Sequence, residues 1–252
     1  MSESGIVIVT GAGSGIGRAA AVQISTLGFS VVLIGRREGP LLETRDLCPT
    51  PAAVLSIDLA SAGAADKAIR FARAAFPQHI GIVAIINNAG SAPSATIAET
   101  TESIVRETFD INAIAPTALV AAAWSDLNLA AAAHGRASVV NVSSVATIDP
   151  FPNLYAYACA KAAMNVGALC VHREGKPFGI RGFAILPGSV ETAMLRGVIT
   201  VDQLPTEHTL SPATLAEVIV QCLEGKRDAD SGGMIVLESP GTERDRPHHG
   251  IG

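Results

Sequence analysis

Seven short apolar runs, set between longer stretches of helical periodicity, constrain the fold of this chain more than any other feature. The runs are Ile6–Val9, Val31–Ile34, Val54–Ile57, Ile82–Ile86, Ser138–Val142, Gly182–Leu186 and Met234–Leu237. They are apolar throughout rather than at alternate positions, as strands covered on both faces require. Between them, Gly17–Leu27, Ala62–Phe76, Thr101–Ala133, Tyr155–Arg173 and Pro212–Leu223 carry helical spacing. Such alternation predicts an α/β fold, a doubly wound seven-stranded parallel sheet with right-handed crossovers and helices on both faces. No linker, repeat or low-complexity block interrupts it, so residues 1–252 are read as a single domain. One irregular stretch, at about 189–211, mixes polar and apolar residues after a strand end. Ligands in such sheets bind beyond the carboxyl ends of the strands, so this stretch suits a flexible flap over a site, although a plain surface loop has the same composition.

Composition narrows the partners. With 48% hydrophobic and 16% charged residues, a chain of this length supports one sizeable core. The net charge of −5 and the lack of any Lys/Arg cluster exclude a nucleic-acid binder. Ile6–Val9 is too short for a signal or membrane segment, so a cytoplasmic protein with no membrane partner is expected. The cysteines, Cys48, Cys159, Cys170 and Cys222, form no CxxC pair and read as small buried thiols. The histidines show no metal-ligand spacing, so no metal is expected; His248 and His249 lie in a polar tail and read as solvated.

The first strand runs into Thr10-Gly11-Ala12-Gly13-Ser14-Gly15-Ile16-Gly17 and then a helix. Glycines let backbone approach a pyrophosphate, and a fresh helix N-terminus offers unpaired N–H groups to the anion. The spacing is TGxxxGxG rather than GxGxxG, and its place after the first strand marks a Rossmann-type nucleotide site. Tyr157 and Lys161 stand four residues apart, on one face of a helix. A phenol titrates near 10, and a neighbouring ammonium lowers that value by favouring phenolate. Tyr157 is thereby the candidate general acid in reduction and base in oxidation. Tyr155 has Cys159, not Lys, four residues on, and is read as pocket lining or packing.

These segments, with Asn87-Asn88-Ala89-Gly90 and Tyr157-Ala158-Cys159-Ala160-Lys161, resemble the short-chain dehydrogenase/reductase family from about Ile6 to Leu237. The resemblance implies a homodimeric or homotetrameric oxidoreductase that moves hydride between a nicotinamide and a ketone or alcohol. It implies a cofactor site at Gly11, Ser14, Gly15, Ile16 and Gly17, with Asn88, Ala89 and Gly90 flanking the adenine ribose. Asp58 and Leu59 match the place that meets the adenine, though Asp58 also suits a helix N-cap. Pro187 and Gly188 match the family's PG segment, in which Val190 backbone and the Thr192 hydroxyl hold the carboxamide. Lys161 also bonds the nicotinamide ribose. Ser144, thirteen residues before Tyr157, matches the serine that holds the substrate oxygen, leaving Ser143 as a strand-closing neighbour. Asn112 matches the asparagine that helps hold a water joining the lysine to solvent. The last strand and the tail 243–252 depart from the family's glycine-rich ending.

Two further expectations concern ligands. An NAD-preferring site ends strand two in Asp or Glu; here Gly35 stands there, followed by Arg36 and Arg37, so NADP(H) is expected. Ser14 occupies a place where other NADP-using relatives carry a basic residue, which leaves the 2′-phosphate mainly to Arg36. The stretch 189–211 offers Val190, Met194, Leu195, Val198, Ile199 and Leu204, with Phe151, Pro152 and Leu154 opposite. A small-molecule, mostly apolar ketone or alcohol substrate follows.

Overall fold

The computed structural model describes residues 5–240, so the expectations for His248, His249 and the tail 243–252 lie outside the described residues. The strands are β1 (Ile6–Thr10), β2 (Ser30–Gly35), β3 (Ala52–Ser56), β4 (Ile82–Asn87), β5 (Ala137–Val142), β6 (Ile180–Pro187) and β7 (Met234–Leu237). They form one seven-stranded sheet in the order β3-β2-β1-β4-β5-β6-β7. Every pairing is parallel. The strand order reverses beside β1, so a crevice opens outside the carboxyl ends of β1 and β4, where open α/β sheets take their ligands.

The continuous apolar runs are continuous because both faces of the sheet are covered. Val7 and Val9 of β1 pack with α1 (Gly15–Thr26), α2 (Glu38–Leu47) and α8 (Pro212–Leu223) through Ile24, Leu41 and Ile219. Ile6 and Ile8 face the other way, onto α3 (Ala64–Ala75) and α5 (Ala115–His134) through Ile69, Leu119 and Leu127. The long α6 (Tyr155–Gly175) covers β5 and β6. Each fully buried aliphatic side chain contributes about 1.5–3 kcal/mol.

One expected element is broken. The periodicity predicts a single helix over Thr101–Ala133, but the structure divides it into α4 (Glu102–Phe109), a π-turn at Asp110–Ile114 and α5. Two residues account for the break. Pro116 has no N–H to return to the carbonyl four residues earlier, and Asn112 Nδ2 occupies Thr108 O at 2.9 Å, within the helical ladder. By length and composition Glu102–His134 would reach across a bilayer; in the fold its Leu119, Ala123 and Leu127 are fully buried against the sheet.

The thiols also differ from expectation. Only Cys222 is buried, Cys48 is half-buried, and Cys159 and Cys170 lie exposed on α6, because their positions fall on that helix's outer face. Burial pushes the Cys222 thiol up to about 12.

Candidate active site

The carboxyl ends of β1, β4, β5 and β6 open into a cleft of roughly 500 Å³, lined at one end by Gly11, Ser14, Gly15 and Ile16. Gly17 stands just behind that turn. A Cβ on Gly17 would lie 2.3 Å from Gly11 O, and one on Gly11 2.8 Å from Asn88 Nδ2. The sequence places glycine there because α1 begins against the turn itself. Thr10 ties the turn to the next motif: its Oγ1 donates to Ile86 O at 3.2 Å and accepts from the N–H groups of Asn88 and Ala89 at 2.9 and 3.0 Å. Ser14 is exposed and its side chain makes no helix-capping bond.

The opposite wall is the segment after β6. Pro187, Gly188, Val190 and Thr192 all line the cleft. Thr192 caps α7 (Ala193–Arg196), accepting from Leu195 N at 3.2 Å, and its Cγ2 would stand 3.1 Å from a Cβ on Gly15. Ser239 braces this segment: its Oγ accepts from Ser189 N at 2.6 Å. Nothing in the sequence motifs pointed to Ser239.

At the floor lie Ser144, Tyr157 and Lys161, from the end of β5 and from α6. Ser144 Oγ caps the turn that follows, accepting from Ala146 N at 3.1 Å, and hydrogen-bonds the Tyr157 phenol. Ser143 is turned away, its hydroxyl donating to Lys161 O at 3.1 Å, the strand-closing role expected of it. Lys161 Nζ donates to Val142 O at 2.8 Å and lies 5.8 Å from the centroid of the Tyr157 ring. Burial lowers the ammonium to about 8. The expectation that Lys161 pulls the phenol down is corrected in this geometry. Burial raises Tyr157 above 10, and the Ser144 hydrogen bond opposes it only in part.

Asn112 sits in the π-turn behind the lysine, fully buried. Its Nδ2 donates to Ser91 O and Thr108 O, both at 2.9 Å, while its Oδ1 has no protein partner. Gly90 lets the two functional side chains crowd its backbone. A Cβ there would stand 2.4 Å from Asn112 Oδ1 and 3.5 Å from Lys161 Nζ. Asn88, Ala89 and Gly90 all line the cleft; Asn112 does not.

Five expected cofactor residues lie outside the lining: Gly17, behind the turn, and Arg36, Arg37, Asp58 and Leu59. Arg36, Arg37 and Asp58 are exposed at the carboxyl ends of β2 and β3, while Leu59 is buried beneath. Ser56 Oγ donates to Arg36 O at 3.1 Å, so the two strand ends are joined. Asp58 does not cap α3, whose N-cap is Gly63; its Oδ1 accepts from Ala60 N at 3.0 Å instead. Tyr155 departs from expectation: it is 49% exposed on the outer face of α6 and neither lines the cleft nor packs in the core. Two residues from Tyr157 on a helix is the far side.

The stretch 189–211 is held by a parallel bridge between Val190 and Leu210. Its Arg196 pairs with Glu191 through two nitrogens and donates to Leu204 O at 2.8 Å. Arg196 holds the Glu191 carboxyl below the usual carboxylate range. Val190, Met194, Leu195, Val198 and Ile199 line the cleft opposite Phe151, Pro152 and Leu154; Leu204 does not. Missed by motif reading are Asn153, at φ 66 the sole positive-φ non-glycine among the described residues, and Gln203, which line the cleft from the 151–154 and 189–211 sides respectively.

The sequence profile of the short chain dehydrogenase family matches residues 5–201. This chain belongs to that family. The short-chain dehydrogenase is 30% identical over 219 residues to an uncharacterised oxidoreductase of Staphylococcus epidermidis, covering 86% of this chain and 90% of that one. It is 30% identical to an L-xylulose reductase of Caenorhabditis elegans, covering 75% and 73% of the two chains. In fold it is similar to a 3-ketoacyl-(acyl-carrier-protein) reductase of Brucella melitensis solved with NADH, at a TM-score of 0.84, 20% identity and coverage of 93% and 96%.

The family implies a nicotinamide dinucleotide, and the short-chain dehydrogenase's residues fit one. The glycine turn and the Thr192 segment face each other across a surface on which a Cβ would collide, and the line from Gly11 to Tyr157 is continuous cleft.

Proposed function

We propose that this oxidoreductase is an NADP(H)-dependent carbonyl reductase or secondary alcohol dehydrogenase of the cytoplasm, acting on a mostly apolar ketone or its alcohol. The observation that carries the reading is the convergence of Ser144, Tyr157 and Lys161 at the floor of a cleft whose far end is the glycine turn. The bound nicotinamide supplies or accepts the hydride. Ser144 Oγ holds the substrate oxygen beside the Tyr157 hydroxyl, which donates its proton as charge develops there. Lys161 offers positive charge to the phenolate left behind and a donor to the ribose; Asn112 Oδ1, unpartnered and close behind, suits a water leading to solvent. Val190 backbone and Thr192 orient the carboxamide.

NADP(H) rather than NAD(H) rests on Gly35, Arg36 and Arg37. No carboxylate stands at the end of β2 to repel a 2′-phosphate. Both arginines are exposed, and Glu38 pairs with neither. A hydrogen bond to a charged group contributes about 1.5–3 kcal/mol, so one placed arginine gives roughly 10- to 100-fold preference. The apolar substrate rests on the walls at Phe151, Leu154, Met194 and Val198, with Arg196, the flap's one strong base, engaged by Glu191. We read 189–211 as a flexible flap over that end.

NADPH oxidation over a panel of apolar ketones, L-xylulose and a 3-ketoacyl thioester, with kcat/KM for both cofactors, tests the proposal. The expected result is preference for NADPH, lost in Arg36→Ala, and for an apolar ketone. Preference for NADH, or an unchanged ratio in the variant, overturns the cofactor assignment; preference for the sugar overturns the substrate class.

A further inference from the structure

Arg36 and Arg37 make no side-chain contact that fixes them; their position is decided by what holds the two ends of the short link they occupy. One end is β2, paired with β3 up to Gly35 and Ser56. The other is the first turn of α2, and its anchor is Arg18, one residue past the glycine motif. Arg18 Nη2 donates to Gly13 O at 2.7 Å and to Pro40 O at 3.3 Å, and pairs with Glu43 at 2.7 Å. Its Nε donates to Thr44 Oγ1 at 3.1 Å. Thr44, fully buried, has acceptors in Ala12 O at 2.9 Å and Pro40 O at 3.0 Å. One guanidinium and one hydroxyl therefore clamp the glycine turn to α2. The fit leaves little slack, since a Cβ on Gly13 would stand 3.1 Å from Pro40 Cβ. A planar fork that satisfies two carbonyls, a hydroxyl and a carboxylate at once is a fixed joint, not a surface charge.

We propose that Arg18, with Thr44, is a positioning residue that sets the cofactor choice of the protein: it holds α2 against the glycine turn so that Arg36 meets the 2′-phosphate. The inference rests on the NADP(H) reading above and adds to it the joint that makes the reading geometrically possible. Arg18 itself is neutralised by Glu43 and faces the carbonyls, so its part is to place another arginine.

The test is titration calorimetry of the full-length protein with 2′,5′-ADP, which carries the 2′-phosphate, and with 5′-AMP, which lacks it. Arg18→Ala should weaken 2′,5′-ADP about tenfold and 5′-AMP less than about threefold. Thr44→Val changes no charge and nearly no volume, and should lower the ratio of the two affinities in the same direction, about threefold. Arg18→Lys, which carries the charge without the fork, should not restore it. Circular dichroism checks that each variant is folded, and Thr44→Val carries the test if Arg18→Ala does not fold. Equal losses for both ligands would show that the joint serves the fold alone, and an unchanged ratio that it serves neither; both overturn the proposal. A ratio lowered by Arg18→Ala but rescued by Arg18→Lys and untouched by Thr44→Val would mean direct attraction, and also overturns it. If the unaltered protein itself does not prefer 2′,5′-ADP, the NADP(H) reading falls and this inference with it; if it does and the ratio survives the variants, only this inference falls.

Discussion

Tyr157 and Lys161 share one face of α6, yet burial moves their proton affinities in opposite directions: the phenol rises above 10 and the ammonium drops to about 8. In the mechanism proposed above, reduction needs the phenol protonated and the ammonium charged. The phenol meets its condition throughout the neutral range, so the ammonium sets the limit. The kcat/KM for ketone reduction is therefore expected to be level below pH 8 and to fall as pH rises through that value; a profile flat from pH 8 to 10 would contradict it. Tyr157→Phe removes only the transferable proton, so kcat should fall by about 10²–10⁴ while NADPH affinity, read by fluorescence titration, changes little. That the two side chains stand together was legible from spacing alone, since a tyrosine and a lysine four apart share a helix face. Their electrostatics were not legible, because burial is a property of everything packed around them. Arg18 was equally hidden. It looks like any helix-start arginine until Gly13, Pro40 and Thr44 are seen converging on it.

Among the elements, the seven apolar runs announced the strands, because a strand covered on both faces has no polar side to disguise it. The helix over 101–133 was misjudged at its middle. Hydrophobic periodicity continues through Asp110–Ile114, and only the chemistry of Pro116 and Asn112 discloses the wider turn in which Asn112 is buried behind Gly90. The stretch 189–211 was legible as irregular but not as clasped. Glu191, set between the cleft-lining Val190 and Thr192, is bound to Arg196 and accepts from Thr209 Oγ1 at 3.3 Å. A single partly exposed ion pair within a surface segment adds little to global stability, so Glu191→Gln should leave the melting temperature nearly unchanged. Its effect belongs to the flap. KM for the ketone should rise about threefold with kcat nearly constant, and a kcat loss at constant KM would show that the clasp acts on chemistry instead.

At the scale of the whole molecule, α6, α5 and the π-turn before it present a set of exposed large apolar side chains. Ile114 and Leu129 are 57% and 56% exposed, and Tyr155 and Val166 49% and 61%. A second copy of the same surface would cover them around a two-fold axis, and we propose a homodimer or homotetramer on that ground. Light scattering at micromolar concentration should give twice or four times the mass of the chain; a monomer would defeat the proposal. Such an interface would also give a place to Tyr155, whose position outside the cleft was the clearest error of motif reading. The position of β1 has a different consequence, for birth rather than for assembly. It is synthesised before the other six strands of the sheet, yet it lies inside the sheet, and Thr10 finds its partners only at Ile86, Asn88 and Ala89. A nascent chain on the ribosome must carry an unpaired apolar strand edge until β4 has emerged, since a parallel pairing this distant in sequence is slow to close. The glycine turn is thus translated well before Asn88 and Ala89, and its bracing through Thr10 has to wait for them.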